Sequence, residues 1–513
     1  MRPSIQIAPT HMQRYQLGLV WLRRDLRLYD HAALAQALEH CQAVVLAFVF
    51  DRSILDSLPQ QDRRVEFICT SLQTLSDELR QIASSGLPSA HKKEFLLWHH
   101  GVPEDAFAAW LKHLPVQAVF AAWDDEASAL QRDQSIGQWL QHRGISLHLC
   151  KDHMVFARQE ILTGSGKPYS VFTPYKRAWL KRMHTMPQAL LRHDTTSLGR
   201  KLHALPPPVA RPMPALETIG FAHTHFLETG GRAGSGGGHA MLKSFLERLS
   251  HYHALRDFPA ENGTSCLGMH LRFGTLSIRE LCRAVWPLAN DGQPGAQTWL
   301  SELIWRDFYL QVLANYPHVA AGLSFKRTYD TIAWEQGPVA DTYFEAWRTA
   351  RTGYPLVDAA MQQLLQTGYM HNRLRMVSAS FLCKHLGINW RRGEAWFARH
   401  LNDFEWASNN GGWQWASSSG CDAQPYFRIF NPVTQSQKFD PKGQFIRQYL
   451  PQLAHLPAPH IHAPWQAPPA VLQAAGLNWG HDYPLPIVEH HQARAKTLER
   501  YAAVRKSGQG FRD

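Results

Sequence analysis

Asn409-Asn410-Gly411-Gly412-Trp413-Gln414-Trp415, continued by residues 416–420 and 422–432, is the stretch on which the reading of this 513-residue chain turns. Two tryptophans two residues apart, behind a diglycine and a pair of amides, are unusual in a core segment. Glycine weakens an element, and each indole N–H needs a partner when buried. Upstream, Trp390 stands in Gly387-Ile388-Asn389-Trp390-Arg391, and Trp334 in Tyr329-Asp330-Thr331-Ile332-Ala333-Trp334-Glu335. Indoles with such specific surroundings point to electron transfer, because an oxidised ring can pass its hole to a neighbour. For any one tryptophan an aromatic core is the better reading; the motifs around these three shift the balance.

The totals narrow the class. The length suggests two or three domains, and 45% hydrophobic with 19% charged residues is ordinary for a globular protein. No apolar run approaches the roughly eighteen residues of a membrane span. The 1–15 extension lacks the apolar segment of a secretory signal, so a cytoplasmic protein is expected. Seven scattered cysteines with no Cys-x-x-Cys argue against a disulfide framework or a zinc site and for a reducing compartment. His99-His100 and His490-His491 lack companion ligands at zinc-like spacing, so no metal is expected. A formal charge of +11 and a pI of about 9.3 favour a polyanionic partner, nucleic acid first.

Along the chain, 16–150 reads as an α/β unit. Short apolar runs at 17–22, 43–50, 95–98, 118–122 and 145–149 predict strands, the second buried on both faces by its continuous hydrophobicity. Helical stretches such as 62–82 and 127–142 lie between them, and that alternation predicts a doubly wound parallel sheet. No Gly-x-Gly-x-x-Gly follows the first strand, so the usual dinucleotide fingerprint is absent, and the sequence does not name a ligand for the sheet's carboxyl edge. Residues 151–239 read as a long flexible connector, with Pro206-Pro207-Pro208, Thr229-Gly230-Gly231 and Gly234-Ser235-Gly236-Gly237-Gly238. In 240–513 the periodicity turns helical, at 241–253, 277–286, 299–315, 355–367 and 374–386. The expected fold class is α/β plus all-α.

Three further phrases carry a resemblance. They are Trp21-Leu22-Arg23-Arg24-Asp25-Leu26-Arg27 with Asp30-His31, then Lys167-Pro168-Tyr169-Ser170-Val171-Phe172-Thr173-Pro174-Tyr175, then Thr352-Gly353-Tyr354-Pro355-Leu356-Val357-Asp358-Ala359-Ala360-Met361. With the tryptophan motifs, in this order, the chain resembles the photolyase/cryptochrome flavoproteins from about residue 16 to 506. It most resembles the bacterial class I cyclobutane pyrimidine dimer photolyases. The resemblance implies a non-covalent FAD, bent, inside the helical domain and active when reduced. The positions that match its flavin pattern are Tyr252, Thr264, Ser265, Cys266, Leu267, Gly268, Glu302, Arg306, Arg375, Asp403, Glu405 and Asn409. Hydroxyls and amides at Thr264-Ser265 suit a pyrophosphate. Arg375 suits an anionic reduced ring, with Asp403 holding the guanidinium as a bidentate pair. The usual Thr-Ser-Arg-Leu-Ser is here Thr264-Ser265-Cys266-Leu267-Gly268, so one hydroxyl is missing and His270 or Arg272 is expected to compensate.

Asn409 matches the position facing the reactive flavin nitrogen, where photolyases carry Asn, plant-type cryptochromes Asp and animal types Cys. A neutral amide tolerates the reduced ring, which favours repair. Glu302, Trp305, Asn372, Met376 and Trp415 match the positions that contact the flipped dimer, with indole walls, an adaptable thioether and polar groups for the base edges. Extrusion of the dimer is a property photolyases share with other base-flipping enzymes. Met376 stands where a (6-4) photolyase would show histidine. Arg256, Arg373, Arg428 and Lys438 are the candidates for DNA phosphates. The implied mechanism is a closed electron cycle: light excites reduced FAD, an electron opens the cyclobutane ring and then returns. Asn409, Glu302 and Met376 stand as the catalytic set. Trp413 (innermost), Trp390 and Trp334 would relay electrons that reduce oxidised flavin, separately from repair.

A second, antenna chromophore is also implied. The folate type expects a glutamate where this chain has Ala129, which leaves a deazaflavin, a flavin or no antenna open. The expected partner is DNA carrying pyrimidine dimers, bound by a monomer with no membrane and no obligate protein partner. The alternative is a cryptochrome-like photoreceptor without repair, disfavoured by Asn409, by the Trp305/Met376/Trp415 set and by the short chain after Lys506. A flavin oxidoreductase is disfavoured because no acid–base pair or nicotinamide motif accompanies the flavin positions.

Overall fold

The continuous apolar runs at 17–22 and 43–50 become the central strands of a five-stranded sheet, because residues buried on both faces need covering layers on both sides. The computed structural model describes residues 15–84, 93–228, 230–423 and 425–507. The 1–15 extension, save Tyr15, and Thr229 of the expected connector lie outside them. The strands are β1 (Tyr15–Leu22), β2 (Cys41–Asp51), β3 (Leu96–Gly101), β4 (Ala118–Ala122) and β5 (Ser146–Cys150). They run in the order β3-β2-β1-β4-β5, and every pairing is parallel. Leu19 stands opposite Val45 and Val119, while Val20 stands opposite Leu46 and Phe120. The two sets enter separate cores, as alternation of side chains across a strand requires. Helices Ala32–His40, Arg63–Ser84, Pro103–Leu111 and Ala127–Gln141 supply the connections.

Contact clustering divides the chain into two units. The first comprises the residues up to Val155 with Met186–Leu242 and Leu267–Ala284; the second comprises Phe156–Thr185, Lys243–Cys266 and the chain from Val285 onward. The expected loop at 151–239 is corrected in two places. Phe172–Thr185 is a helix that buries Phe172, Tyr175, Trp179 and Met183, a three-to-four residue rhythm masked in the sequence by its basic neighbours. The glycine-rich run is no flexible connector either, since it opens the helix Gly234–Leu246. Gly238 permits close packing: a Cβ there would lie 2.7 Å from Leu276 and 2.8 Å from His270.

The second unit is helical. Pro294–Asn315 is buried around most of its circumference, Pro355–Thr367, Asn372–Lys384, Trp390–His400 and Trp406–Ala416 surround a large apolar core, and His490–Ser507 packs Tyr501 and Val504 with Ile332 in a separate small cluster. The helix expected at 241–253 is instead broken after Leu246 by the 3-10 turn Leu249–His251, followed by Tyr252–Leu255. Among the described residues no helix is long and apolar enough to cross a membrane.

Candidate functional site

The Asn409–Trp415 stretch lies in the helix Trp406–Ala416, and the odd composition has steric causes. A Cβ on Gly411 would lie 2.2 Å from the Tyr309 ring, and one on Gly393, in the facing helix, 2.1 Å from the Trp413 indole. The backbones must therefore approach closely for Trp413 to be buried. Gly393→Ala is expected to destabilise the protein by ~1–3 kcal/mol, the usual range for overpacking, seen as a lowered thermal midpoint. No loss would show that Trp413 can move aside.

Asn409 donates from Nδ2 to the Glu394 carbonyl at 3.1 Å. A carbonyl only accepts, so the amide's orientation follows and Oδ1 is the end left to offer. Next to it, Asn410 donates to Glu394 Oε1 (3.1 Å) and accepts from Gln414 Nε2 (2.8 Å). Arg375 and Asp403 meet, but not as a two-nitrogen fork. Nη2 reaches both carboxylate oxygens, at 3.0 and 2.9 Å, while Nε is drawn to the Met370 carbonyl at 2.8 Å. Arg306 and Glu405 stand 3.4 Å apart.

The 264–268 stretch, expected to hold a pyrophosphate, is shaped by its backbone. Cys266 is exposed and left-handed (φ 53°), and Leu267 follows at φ −85°, ψ 4°. That sign alternation is the backbone pattern of an amide nest. Thr264 Oγ1 lies 3.2 Å from the Tyr369 hydroxyl, and its carbonyl accepts from Arg248 Nη2 at 3.2 Å. The compensation expected from His270 or Arg272 is corrected. The His270 ring is committed to Thr275 at 2.7 Å, with burial pushing its pKa down to about 4, and Arg272 pairs with Glu126 at 3.2 Å. Gly268 begins the short helix Gly268–Arg272. Arg248 and Tyr369 were missed because neither belongs to a sequence motif.

Among the residues expected to meet the substrate, Arg256 and Glu302, given separate roles above, pair with each other at 2.6 Å, and Arg256 also lies 5.4 Å from the Tyr252 ring. Arg373 pairs with Asp257 at 2.9 Å. Arg428 is exposed with no ion pair among the described residues, and Lys438 is exposed beside the Phe439 ring. Asn372 and Met376 lie one turn apart on the helix Asn372–Lys384. Trp305 stacks on Phe172 (3.6 Å between centroids, 6° between planes), which restricts its motion. Trp415 is half-buried near Phe430.

Trp413 and Trp390 are buried, while Trp334 is half-buried with its edge on Tyr501 at 6.4 Å. Arg391 lies 4.5 Å over the Trp390 ring. Trp347, not singled out in the sequence, is 6.0 Å from Trp413.

The first unit holds a cavity of about 210 Å³, lined by residues at the carboxyl ends of β1, β2 and β4. The strand order reverses at β1/β4, where open α/β sheets bind ligands. Arg23 reaches Asp133 from Nη1 at 2.9 Å and lies 3.9 Å from the Trp21 ring. Among the described residues its Nε and Nη2 are buried without hydrogen-bond partners, and burial lowers its pKa to about 10. Ala129 lines this cavity.

Comparison with known proteins shows the chain's family. Residues 18–192 match the family described as DNA photolyase and 299–503 the FAD binding domain of DNA photolyase. A deoxyribodipyrimidine photo-lyase of Salmonella typhimurium is 40% identical across 97% of this chain and 99% of its own. A bacterial class III photolyase from Agrobacterium tumefaciens superposes with a TM-score of 0.84 at 32% identity, over 98% of this chain and 100% of that one. An archaeal photolyase from Sulfolobus tokodaii, solved with two FAD molecules, gives 0.75 at 29%, over 95% and 100%. The chain belongs to the DNA photolyase family.

Proposed function

We propose that this protein is a light-driven DNA repair lyase that splits cyclobutane pyrimidine dimers. The observation that carries the reading is Asn409, a neutral amide whose oxygen is left to face a cofactor because its nitrogen is held by Glu394. An acceptor there would suit the N–H that the flavin's reactive nitrogen, N5, gains on reduction and lacks when oxidised. The donor set fits FAD: the 264–267 nest and Thr264 for phosphates, Arg375 for the ring's negative charge, and Arg306 with Glu405 and Tyr252 around them. When bound, FAD supplies a light-absorbing group that lends one electron and takes it back.

The chain's own residues do the rest. Asp403 and the Met370 carbonyl fix Arg375, so the cation stays where negative charge builds. Trp305, held flat by Phe172, and Trp415 wall the dimer. Met376 fills against it, and Asn372 and Glu302 address its polar edges. Glu302 holds Arg256 at 2.6 Å, so phosphate binding by Arg256 involves a change of partner. Arg428, with no such pair, is the readiest phosphate contact. Trp413, Trp390 and Trp334 serve reduction of the cofactor, and the cavity at β1/β4 serves a second, light-collecting chromophore.

Under anaerobic blue light, protein with fully reduced flavin should convert a thymine-dimer oligonucleotide to unmodified thymines, with no conversion in the dark. Dimers that persist under light would overturn the proposal. Affinity for dimer-containing DNA should exceed that for undamaged DNA and fall with salt, by about 0.9 log units per log of salt for each phosphate neutralised.

A further inference from the structure

Among the described residues the Asn409 amide makes a single side-chain hydrogen bond, too little to hold it against rotation. What steadies it is Glu394, in the helix Trp390–His400. Its Oε1 accepts from Trp406 Nε1 at 3.2 Å and from Asn410 Nδ2 at 3.1 Å. These donors lie four residues apart, one turn, on the helix that carries Asn409. The same residue's backbone carbonyl accepts the Asn409 amide. Asn410 cannot turn over in response, because its Oδ1 already accepts from Gln414, whose own oxygen accepts from Phe325 N at 2.7 Å. Every donor and acceptor in this chain therefore has one self-consistent orientation. Burial pushes the Glu394 carboxyl above its ordinary range, and the bonds from Asn410 and Trp406 work against that.

We propose that Glu394 is the positioning residue that keeps the Asn409 oxygen, rather than its NH2, turned toward the flavin, and so protects the reduced cofactor. This rests on the flavin reading of Asn409 above. Glutamine at 394 keeps an oxygen that can accept both bonds; leucine keeps the approximate bulk and accepts none.

The test uses FAD-loaded protein reduced with dithionite and exposed to air, following flavin reoxidation by absorbance, with flavin content and midpoint potential measured alongside. Glu394→Leu should reoxidise about five-fold faster than wild type, the equivalent of one net hydrogen bond, and have a lower midpoint potential. Glu394→Gln should stay within about two-fold of wild type by the same measure. Asn409→Leu should be at least as fast as Glu394→Leu. If Asn409→Leu is fast while Glu394→Leu matches wild type, or if the glutamine variant is as fast as the leucine variant, the positioning role is wrong. If Asn409→Leu changes nothing with FAD fully bound, the flavin reading of Asn409 fails first. Should Glu394→Leu fail to retain flavin, Asn410→Ser removes one of the same bonds from the other side and is read identically.

Discussion

Replacing Trp390 by phenylalanine should slow photoreduction of oxidised FAD by ~100-fold or more, since phenylalanine is far harder to oxidise and ~3 kcal/mol of added barrier already gives that factor. Trp390 is 1% exposed at the start of its helix, where the Asn389 side chain caps the turn by accepting from Arg391 N at 3.1 Å. Phenylalanine keeps an aromatic ring there, so folding and flavin content should survive. Once the flavin has been reduced chemically, repair by the variant should be near normal, because the dimer receives its electron from the cofactor directly. Trp305→Ala should do the reverse, keeping photoreduction but weakening dimer binding by ~1–3 kcal/mol, the value of one base–aromatic stack. Flash photolysis with and without pre-reduction separates the two. A Trp390→Phe variant that cannot repair even when pre-reduced, with flavin intact, would show that relay and repair are not separate.

The second large effect concerns a lysine outside the cofactor site. Lys384 ends the helix Asn372–Lys384 fully buried, with Nζ donating to the Arg428 carbonyl at 3.0 Å and no carboxylate paired with it among the described residues. Burial pushes its pKa down to about 7, whereas in the unfolded chain it stays near 10.4. Between those values the unfolded chain holds a proton that the folded chain lacks, so stability from this group rises with pH across the window. Below pH 7 the folded protein carries the buried charge and the full penalty. Lys384→Met should therefore stabilise the protein at pH 6 by ~2–4 kcal/mol, in line with other replacements of buried charge by apolar groups. Near pH 10 the gain should vanish or turn into a loss of ~1 kcal/mol for the missing hydrogen bond. Urea unfolding at the two pH values measures the difference, and an equal effect at both would show that Lys384 is not titrating as its burial dictates.

The sequence by itself determined the parallel sheet, the helical second half and the family, because those depend on patterns along the chain. Apolar runs bounded by turns become strands wherever they are covered on both faces, and the Asn409–Trp415 phrase stays recognisable without coordinates. It misjudged 151–239, where the rhythm of Phe172, Tyr175, Trp179 and Met183 hides among basic residues and the glycine run opens a helix in which Gly237 and Gly238 pack closely. Tertiary structure alone decided which charges meet. Arg256 finds Glu302 forty-six positions away and Arg373 finds Asp257, while Arg248 supports the Thr264 carbonyl and His270 and Arg272 are committed elsewhere. It also decided which end of the Asn409 amide is presented, since that depends on a carbonyl in another helix. The reason is physical: periodicity and steric rules act between near neighbours in sequence, whereas hydrogen bonds and ion pairs are chosen by distance and direction in the folded chain.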